Sequence, residues 1–365
     1  MKTRLLSLIL VIAIGLAMAA GLCGCSSEGS NTEGSDTQTG AQGKSEKFGG
    51  MANVSSASTR ESEEHRVLVS SDTYPCTITD YLGTEVTLDS KPQRVAVLSS
   101  SFINMWYALG GESICRTDLG SAVIDHEYEA TIGALPSVGA VYNASVEAII
   151  EQQPDFIITQ AGVQAEISST LRGMGFKIVT LLMKDYVDVV DHMRVFGVLL
   201  GSQAAAEERI AQMDAERKAI TDRLPAEGKS AVILYLTSSS LSVKLDNSIA
   251  GDVANILGLR NIASDLPPDT LGSETTPLDI EYIVKKNPDV VLVTSMISSN
   301  EAAKETMEKE FSSNPAWAGI EAIKEGRVIY LPQEYFLFNA AHNYVKAIEY
   351  MAKGVYPDIY GPLGQ

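Results

Sequence analysis

A thirteen-residue pattern of apolar and polar positions occurs twice in this chain, at residues 147–159 and again at residues 281–293. Each copy has the last turns of a helix, then a Pro-Asp pair, then a run of apolar, mostly β-branched residues. Pro154 and Pro288 lack the N–H that a helix interior needs, so each helix must end before them. The apolar run that follows is typical of a strand covered on both faces. A repeat at this distance predicts two similar α/β lobes rather than a solenoid.

Strand and helix patterns alternate through the rest of the chain from about residue 66 onward, which is typical of mostly parallel sheets. Residues 205–224 contain strong helix formers and no Gly or Pro, and Ser202 can cap the start of that helix. Such a helix spans about 33 Å. The predicted fold class is therefore α/β, with two Rossmann-like lobes that have central, mostly parallel sheets and are joined by one long rigid α-helix. The expected boundaries are 66–201 for the N-terminal ligand-binding lobe, 202–226 for the connecting helix and 227–365 for the C-terminal ligand-binding lobe.

The first 24 residues have the pattern of a bacterial secretion signal. Lys2 and Arg4 form a charged start, residues 5–20 are apolar, and Gly24 precedes Cys25. This pattern predicts a lipoprotein signal peptide, residues 1–24, with lipid attached to Cys25; an ordinary signal peptide or an anchor helix is the alternative. Residues 25–65 comprise this cysteine and a tether rich in Ser, Thr, Gly and Glu, with too few large apolar residues to fold. We expect an extracytoplasmic protein, held at the cell membrane by its lipid anchor.

The composition narrows the range of partners. A formal net charge of −18 argues against nucleic acid and against a polybasic face for lipid headgroups. Beyond the signal region only Cys76 and Cys115 remain. In an oxidising compartment they could form a disulfide, and two separate buried thiols are the alternative.

Motifs of catalysis and of bare-metal binding are not found in the sequence. There is no Gly-x-Ser-x-Gly elbow, no HExxH motif and no P-loop. The four histidines do not cluster with carboxylates, and the adjacent residues Asp125, His126 and Glu127 are expected in a solvated loop. We therefore predict a protein that is not an enzyme, with no intrinsic cofactor and no metal site. An anchored extracytoplasmic enzyme is the least favoured alternative.

Several short motifs, in order and spacing, are similar to those of the substrate-binding lipoproteins of ABC importers for iron-siderophore complexes, haem and vitamin B12. The likeness extends from about residue 77 to residue 357, and no single motif is diagnostic by itself. The matching stretches are Thr79-Asp80 with Gly83, residues 92–95, 109–111, Val138-Gly139 with 145–147, Pro154-Asp155, 257–263, Pro288-Asp289, and 314–317 with 323–328.

This resemblance implies a set of partners. In this family a surface Glu on each lobe typically pairs with arginines of the membrane permease, which is a dimer that works with an ATPase. The positions here that correspond are Glu166 and Glu301, each near the start of the helix after a repeat strand, with Glu305 as a neighbour that could serve. The alternative is that both are helix N-terminal acids favoured by the helix dipole. The resemblance also implies a monomer.

The expected ligand site lies at the carboxyl ends of the strands, where ligands bind in open α/β sheets. The candidate ligand-binding residues in these loops are Ser100, Phe102, Tyr142, Asn143, Gln160, Ser239, Thr275, Met296, Tyr335 and Asn339. These loops carry no Arg and no cluster of Lys, which disfavours strongly anionic chelates. A neutral chelate, a corrinoid, or haem held by stacking and one axial residue (Tyr142, Met296 or His342) fits better. The predicted function is capture of an iron complex (siderophore or haem) for an ABC importer, with cobalamin or another corrinoid as the alternative ligand.

Overall fold

The computed structural model describes residues 67–119, 124–297, 299–338 and 341–364. The predicted signal peptide, the predicted lipidation site Cys25 and the tether lie outside the described residues, as does the candidate ligand residue Asn339. Among the described residues, no helix combines the length and the apolar character needed to cross a bilayer.

The first half of the described chain contains eight strands and five helices around a short parallel sheet. This sheet has the strand order β4-β7-β8, and all of its strands are parallel. The strands that precede it along the chain form a separate antiparallel sheet in the order β1-β2-β3. The elements are β1 (Leu68–Val69), β2 (Cys76–Thr79), β3 (Glu85–Leu88), β4 (Val95–Val97), α1 (Ser100–Ala108), α2 (Glu129–Gly133), β5 (Gly139–Ala140), β6 (Asn143–Ala144), α3 (Val146–Glu151), β7 (Phe156–Gln160), α4 (Ala165–Gly173), β8 (Ile178–Leu181) and α5 (Tyr186–Leu200).

The second half is built around a six-stranded mixed sheet in the order β12-β10-β9-β13-β14, with β11 paired to β9. The pairs β9/β13, β13/β14 and β9/β11 are parallel, whereas β10 is antiparallel to both of its neighbours. The elements are α6 (Gln203–Thr221), β9 (Ser230–Leu236), β10 (Leu241–Lys244), α7 (Ile249–Ile256), β11 (Arg260–Asn261), β12 (Thr275–Pro277), α8 (Ile280–Lys286), β13 (Val290–Ser295), α9 (Asn300–Ser313), α10 (Glu321–Lys324), β14 (Val328–Tyr330), α11 (Gln333–Phe336), α12 (Tyr344–Val355) and α13 (Pro357–Tyr360), with short 3₁₀ helices at Pro315–Gly319 and Ala341–Asn343. We call the parts around these two sheets the N-terminal and C-terminal lobes, and α6 connects them along the chain.

The two copies of the repeat form the strand at the middle of each parallel arrangement, β7 between β4 and β8, and β13 between β9 and β14. The Asp of each Pro-Asp pair then holds the start of the neighbouring strand. Asp155 accepts a hydrogen bond from the backbone N–H of Arg94 at 2.9 Å, just before β4. Asp289 accepts one from the backbone N–H of Ser230 at 2.7 Å, at the start of β9. In both lobes, therefore, the Asp of the repeat binds the backbone at the start of the neighbouring parallel strand.

One apolar core joins the two sheets. It includes Ile158 on one face of the N-terminal sheet and Ile233 on one face of the C-terminal sheet, together with residues of α5, α6 and α12. At Gly197 of α5, an added Cβ would lie 2.9 Å from the Cβ of Ala206, so α5 and α6 pack in close contact. The opposite face of each sheet has a core of its own. The connection between the lobes thus includes packed helices beside the predicted long helix, which is α6 and ends at Thr221.

The two cysteines are separate thiols and not a disulfide. Cys76 lies in the core shared by the lobes, whereas Cys115 lies in the core on the other face of the N-terminal sheet. The possible disulfide is therefore corrected to two free thiols, because the two side chains belong to different layers. Burial raises the pKa of both, to about 11 for Cys115, so neither is readily converted to a reactive thiolate.

Candidate ligand-binding site

A network of side-chain amides organises the carboxyl edge of the N-terminal sheet. The hydroxyl of Ser99, which follows β4, donates to Oε1 of Gln160 at 2.8 Å. Oε1 of Gln164 accepts from the backbone N–H of Gln160 at 2.8 Å. The Nε2 of Gln164 donates to the carbonyls of Leu98 and Val141 at 2.6 and 3.1 Å. These hydrogen bonds of the Gln164 amide hold the ends of β4 and β7 and the turn between β5 and β6 together. Gln164 is only 1% exposed, so water does not compete for them.

Sequence reasoning missed this role of Gln164. The signal that could have identified it is a polar residue four positions after Gln160, at the start of the helix that follows the repeat strand.

The predicted residues of the N-terminal lobe divide into exposed and buried groups. Tyr142 and Asn143, on the hairpin of β5 and β6, are exposed, Tyr142 by 76%, and Ser100 and Gln160 are partly exposed. Phe102 is 1% exposed and packs edge-on against Phe196 with ring centroids 6.5 Å apart. Phe102 is therefore a core residue and not part of a ligand face, because its side chain lies on the buried face of α1.

The predicted residues of the C-terminal lobe do not all share one edge. Met296 follows β13 and is 53% exposed, Tyr335 lies partly buried in α11, and Ser239 is exposed in the turn after β9. Thr275 pairs with Lys244 at the far end of β10, and its hydroxyl donates to Oδ2 of Asp269 at 2.7 Å. Thr275 therefore lies on the edge strand β12 and not at the carboxyl ends of the parallel strands. The reason is that β10 runs antiparallel to β9, which moves the start of β12 away from the carboxyl ends of the parallel strands.

Asp125 of the N-terminal lobe contacts two residues of the C-terminal lobe. Its Oδ2 lies 2.7 Å from Nε2 of His342, and its Oδ1 accepts from Nδ2 of Asn343 at 3.0 Å. The hydrogen bond to His342 holds the pKa of Asp125 below its usual value, against the effect of burial. The carbonyl of His342 in turn accepts from Arg209 of α6 at 2.9 Å. Because Nε2 of His342 faces Asp125, that nitrogen is not directed at a ligand as an axial donor would be.

A second contact between the lobes is made by Glu274, which precedes β12. Its Oε1 lies 2.9 Å from Nζ of Lys184, in the segment between β8 and α5, and its Oε2 lies 2.8 Å from Nζ of Lys244. Burial raises the pKa of Glu274, but the two ammonium groups outweigh burial and the net pKa is lowered. The ammonium of Lys244 also lies 4.3 Å from the centroid of the Tyr235 ring. Sequence reasoning did not identify this cluster, since its members are far apart along the chain.

The two predicted docking carboxylates occupy matching places in the lobes. Glu166 is exposed in the first turn of α4, after β7, and Glu301 is exposed in the first turn of α9, after β13. Hydrogen bonds from its own backbone N–H and from the Ser299 hydroxyl lower the pKa of Glu301. Both side chains are therefore accessible at the surface of their lobes.

A cavity of about 790 Å³ runs along the outer edge of the C-terminal sheet rather than between the lobes. Its walls include Lys229, Glu301, Arg327 and Tyr330. None of the predicted ligand residues that the structure describes lines it. Within the described part of the chain, no three His, Cys, Asp or Glu residues lie close enough to hold a metal ion.

The fold has counterparts among known proteins. Residues 95–335, from the start of β4 into α11, match the family described as periplasmic binding protein. The chain belongs to this family. The match covers both parallel arrangements and α6, so the family's fold accounts for the two lobes together.

Individual members of the periplasmic binding protein family extend the comparison. An uncharacterised ABC transporter substrate-binding lipoprotein, YvrC of Bacillus subtilis, is 21% identical over 301 residues, which cover 79% of this chain and 88% of YvrC. A cobalamin-binding protein of Halobacterium salinarum is 27% identical over 223 residues, which cover 60% of this chain and 58% of that protein. The crystal structure of Staphylococcus aureus IsdE complexed with heme superposes with a TM-score of 0.61 at 18% identity, and the match covers 72% of this chain and 100% of IsdE. The last likeness is one of fold.

Proposed function

We propose that this chain is the substrate-binding component of an ABC importer, which captures an iron complex, a siderophore or haem, between its two lobes and delivers it to a membrane permease. The observation that carries the proposal is family membership over residues 95–335, with a relative named as an ABC transporter substrate-binding lipoprotein. The protein acts by binding and not by catalysis. We assign the lobe boundaries at 66–201 and 227–365, with residues 202–226 as the connecting segment.

A corrinoid is the second candidate ligand. It is favoured by the likeness to the cobalamin-binding protein, at 27% identity, and by the pairing of charges between the lobes. The ammonium groups of Lys184 and Lys244 already contact Glu274, so neither is left free for a ligand carboxylate. A ligand without strongly acidic groups meets such a surface at lower cost of desolvation.

Haemin, cyanocobalamin and ferric citrate are the probes that test this function. A probe that binds only the folded state stabilises it, by about 2.7 kcal/mol at a hundredfold excess over its Kd. We expect one probe to raise the thermal unfolding midpoint of the protein in a concentration-dependent manner. Failure of all three to do so would contradict the proposal.

The variant Tyr142→Ala locates the site. Tyr142 is exposed, so its loss leaves the core intact, but a large aromatic contact to the ligand is removed. We expect the Kd of the bound probe to rise about 10-fold. Leu271→Ala, which removes an exposed apolar side chain elsewhere, is the matched control and should bind as the wild type does. Equal affinities of all three proteins would argue against a site at the Tyr142 hairpin.

The partners that we propose are a permease dimer and its ATPase, contacted by Glu166 and Glu301. Their exposure in matching first turns supports this role. We also propose that Cys25 carries a lipid and that residues 25–65 are a tether, which would hold a monomeric protein outside the cytoplasm at the membrane surface. The tether would let one binding protein reach its permease without leaving the membrane.

Charge reversal tests the docking residues. In cells, Glu166→Lys with Glu301→Lys should lower uptake of the ligand about 10-fold or more, because two attractive contacts become repulsive. Ligand affinity of the purified variant should not change. Glu151→Lys, an exposed reversal at the end of α3, is the control and should transport normally. Normal uptake by the double variant would exclude these two carboxylates from docking.

A further inference from the structure

Asp125 and Glu274 make polar contacts between the lobes at two separate places. Asp125 reaches from the N-terminal lobe to His342 and Asn343. Glu274 reaches from the C-terminal lobe to Lys184. The first contact lies where α1, α6 and the 3₁₀ helix Ala341–Asn343 meet. Asn104 of α1 accepts a hydrogen bond from the Asp125 backbone N–H at 3.2 Å. Arg209 of α6 donates one to the His342 carbonyl. The second lies among β10, β12 and the segment before α5.

In both contacts the partner in the C-terminal lobe is fixed in place by other bonds. Glu274 is bound by Lys244, which is 7% exposed and lies against Tyr235. His342 is 7% exposed, and its carbonyl is bound by Arg209. Each C-terminal partner would therefore keep its position if the N-terminal lobe moved away. This is the arrangement expected of a contact that opens and re-forms, since little side-chain freedom is lost on re-forming.

A third contact between the lobes lies outside these two. The backbone N–H of Tyr186, at the start of α5, donates to Oδ2 of Asp252 in α7 at 3.1 Å. The hydroxyl of Tyr344 in α12 donates to the same oxygen at 2.9 Å. This hydrogen bond can exist only while α5 rests against the C-terminal lobe, so the Tyr186 amide reports the separation of the lobes.

We propose that Asp125 and Glu274 are positioning residues that together fix the separation and orientation of the two lobes, and hence the width of the ligand cleft. The shared apolar core joins the lobes, and two polar contacts on different elements restrict their relative orientation more than either contact does alone. Either contact alone resists full opening, so loss of both has a larger effect than the two single losses predict. That the cleft holds a ligand rests on the proposed function, whereas the fixed separation of the lobes does not.

Two variants remove the contacts from the N-terminal side alone. Asp125→Ala deletes the first, and Lys184→Met deletes the second while it leaves the Lys244–Glu274 pair in place. The matched control is Lys353→Met, the same substitution at an ion pair within α12, where Lys353 Nζ lies 2.7 Å from Glu349 Oε1. The readout is hydrogen exchange of the Tyr186 amide in the full chain without ligand, with small-angle scattering as the measure of overall dimensions.

We expect each single variant to exchange at the Tyr186 amide about 3-fold faster than the wild type. The double variant should exceed the product of the two single effects, at more than about 10-fold, with a larger radius of gyration. The control should match the wild type. Wild-type exchange in the double variant, or a rise equal to that product with an unchanged radius of gyration, would overturn the proposal.

A milder pair keeps the test decisive if the double variant does not fold. Asp125→Asn with Lys184→Gln retains the size of both side chains and removes their charges, and the same pattern is expected at smaller amplitude. Because no ligand is present, the outcome is independent of the probes used for the proposed function. Lobes that open in the double variant while no probe binds the wild type would retain the positioning role and reject the function.

Discussion

Replacing Asp80 by Ala is expected to lower the free energy of unfolding by about 3–5 kcal/mol. Asp80 is 1% exposed at the turn between β2 and β3. Its Oδ1 accepts from the backbone N–H groups of Leu82 and Thr84, each at 2.9 Å. Its Oδ2 accepts from the backbone N–H of Thr180 in β8 and from the guanidinium of Arg172 in α4, each at 3.0 Å. One carboxylate thus joins a hairpin, a strand and a helix.

The large effect has a specific origin. Without Asp80, Arg172 loses its ion-pair partner and the N–H of the buried residue Thr180 loses its acceptor, and such groups are costly when left unpaired. Urea denaturation measures the change as a lower midpoint at similar slope. Asp89→Ala, at a side chain that is 88% exposed, is the control and should change stability by less than about 0.5 kcal/mol. A loss below about 1 kcal/mol for Asp80→Ala would show that the network is not required.

Acidification is expected to destabilise the protein through His192. This residue of α5 is 1% exposed and lies edge-on to Phe102, and burial lowers its pKa to about 3. In the described structure its Nδ1 has no hydrogen-bond partner. The unfolded chain takes up a proton at His192 as the pH falls through about 6.5, whereas the folded chain does so only near pH 3. Stability is therefore lost as the pH falls between these values, by about 2 kcal/mol at pH 5.

The variant His192→Phe isolates this contribution, because it retains a ring of similar size and cannot be protonated. Between pH 7 and pH 5 the wild type should lose about 2 kcal/mol more unfolding free energy than the variant does. His126→Phe, the same substitution at a side chain that is fully exposed, is the control. Parallel pH profiles for wild type and His192→Phe would mean that His192 is protonated equally in the folded and unfolded states.

Local patterns in the sequence predicted the fold well. The Pro-Asp repeat marked β7 and β13 because Pro ends a helix and a continuous apolar run marks a buried strand. The structure adds the reason for the aspartates, which bind the first N–H groups of neighbouring strands. The two-lobed α/β class followed from this repeat and from the length of the chain between its copies.

The site was less predictable because it depends on helix phase, strand direction and distant contacts. Phe102 was placed at the ligand by its loop position, but its phase in α1 turns it into the core. Thr275 was misplaced because the sequence does not reveal that β10 is antiparallel. The contact between Lys184 and Glu274 joins residues 90 positions apart, and no local pattern specifies such a pair. Gln164 was overlooked because a buried amide resembles any polar loop residue in sequence.

The most direct test of the central claim is a titration of the purified protein with haemin, cyanocobalamin and ferric citrate, followed by absorbance. We expect one of these chelates to bind saturably, at one ligand per chain, with a shift of its absorption band. Binding to Tyr142→Ala should be weaker than binding to the wild type. Absence of saturable binding for all three, with the protein shown to be folded, would contradict a role in chelate capture.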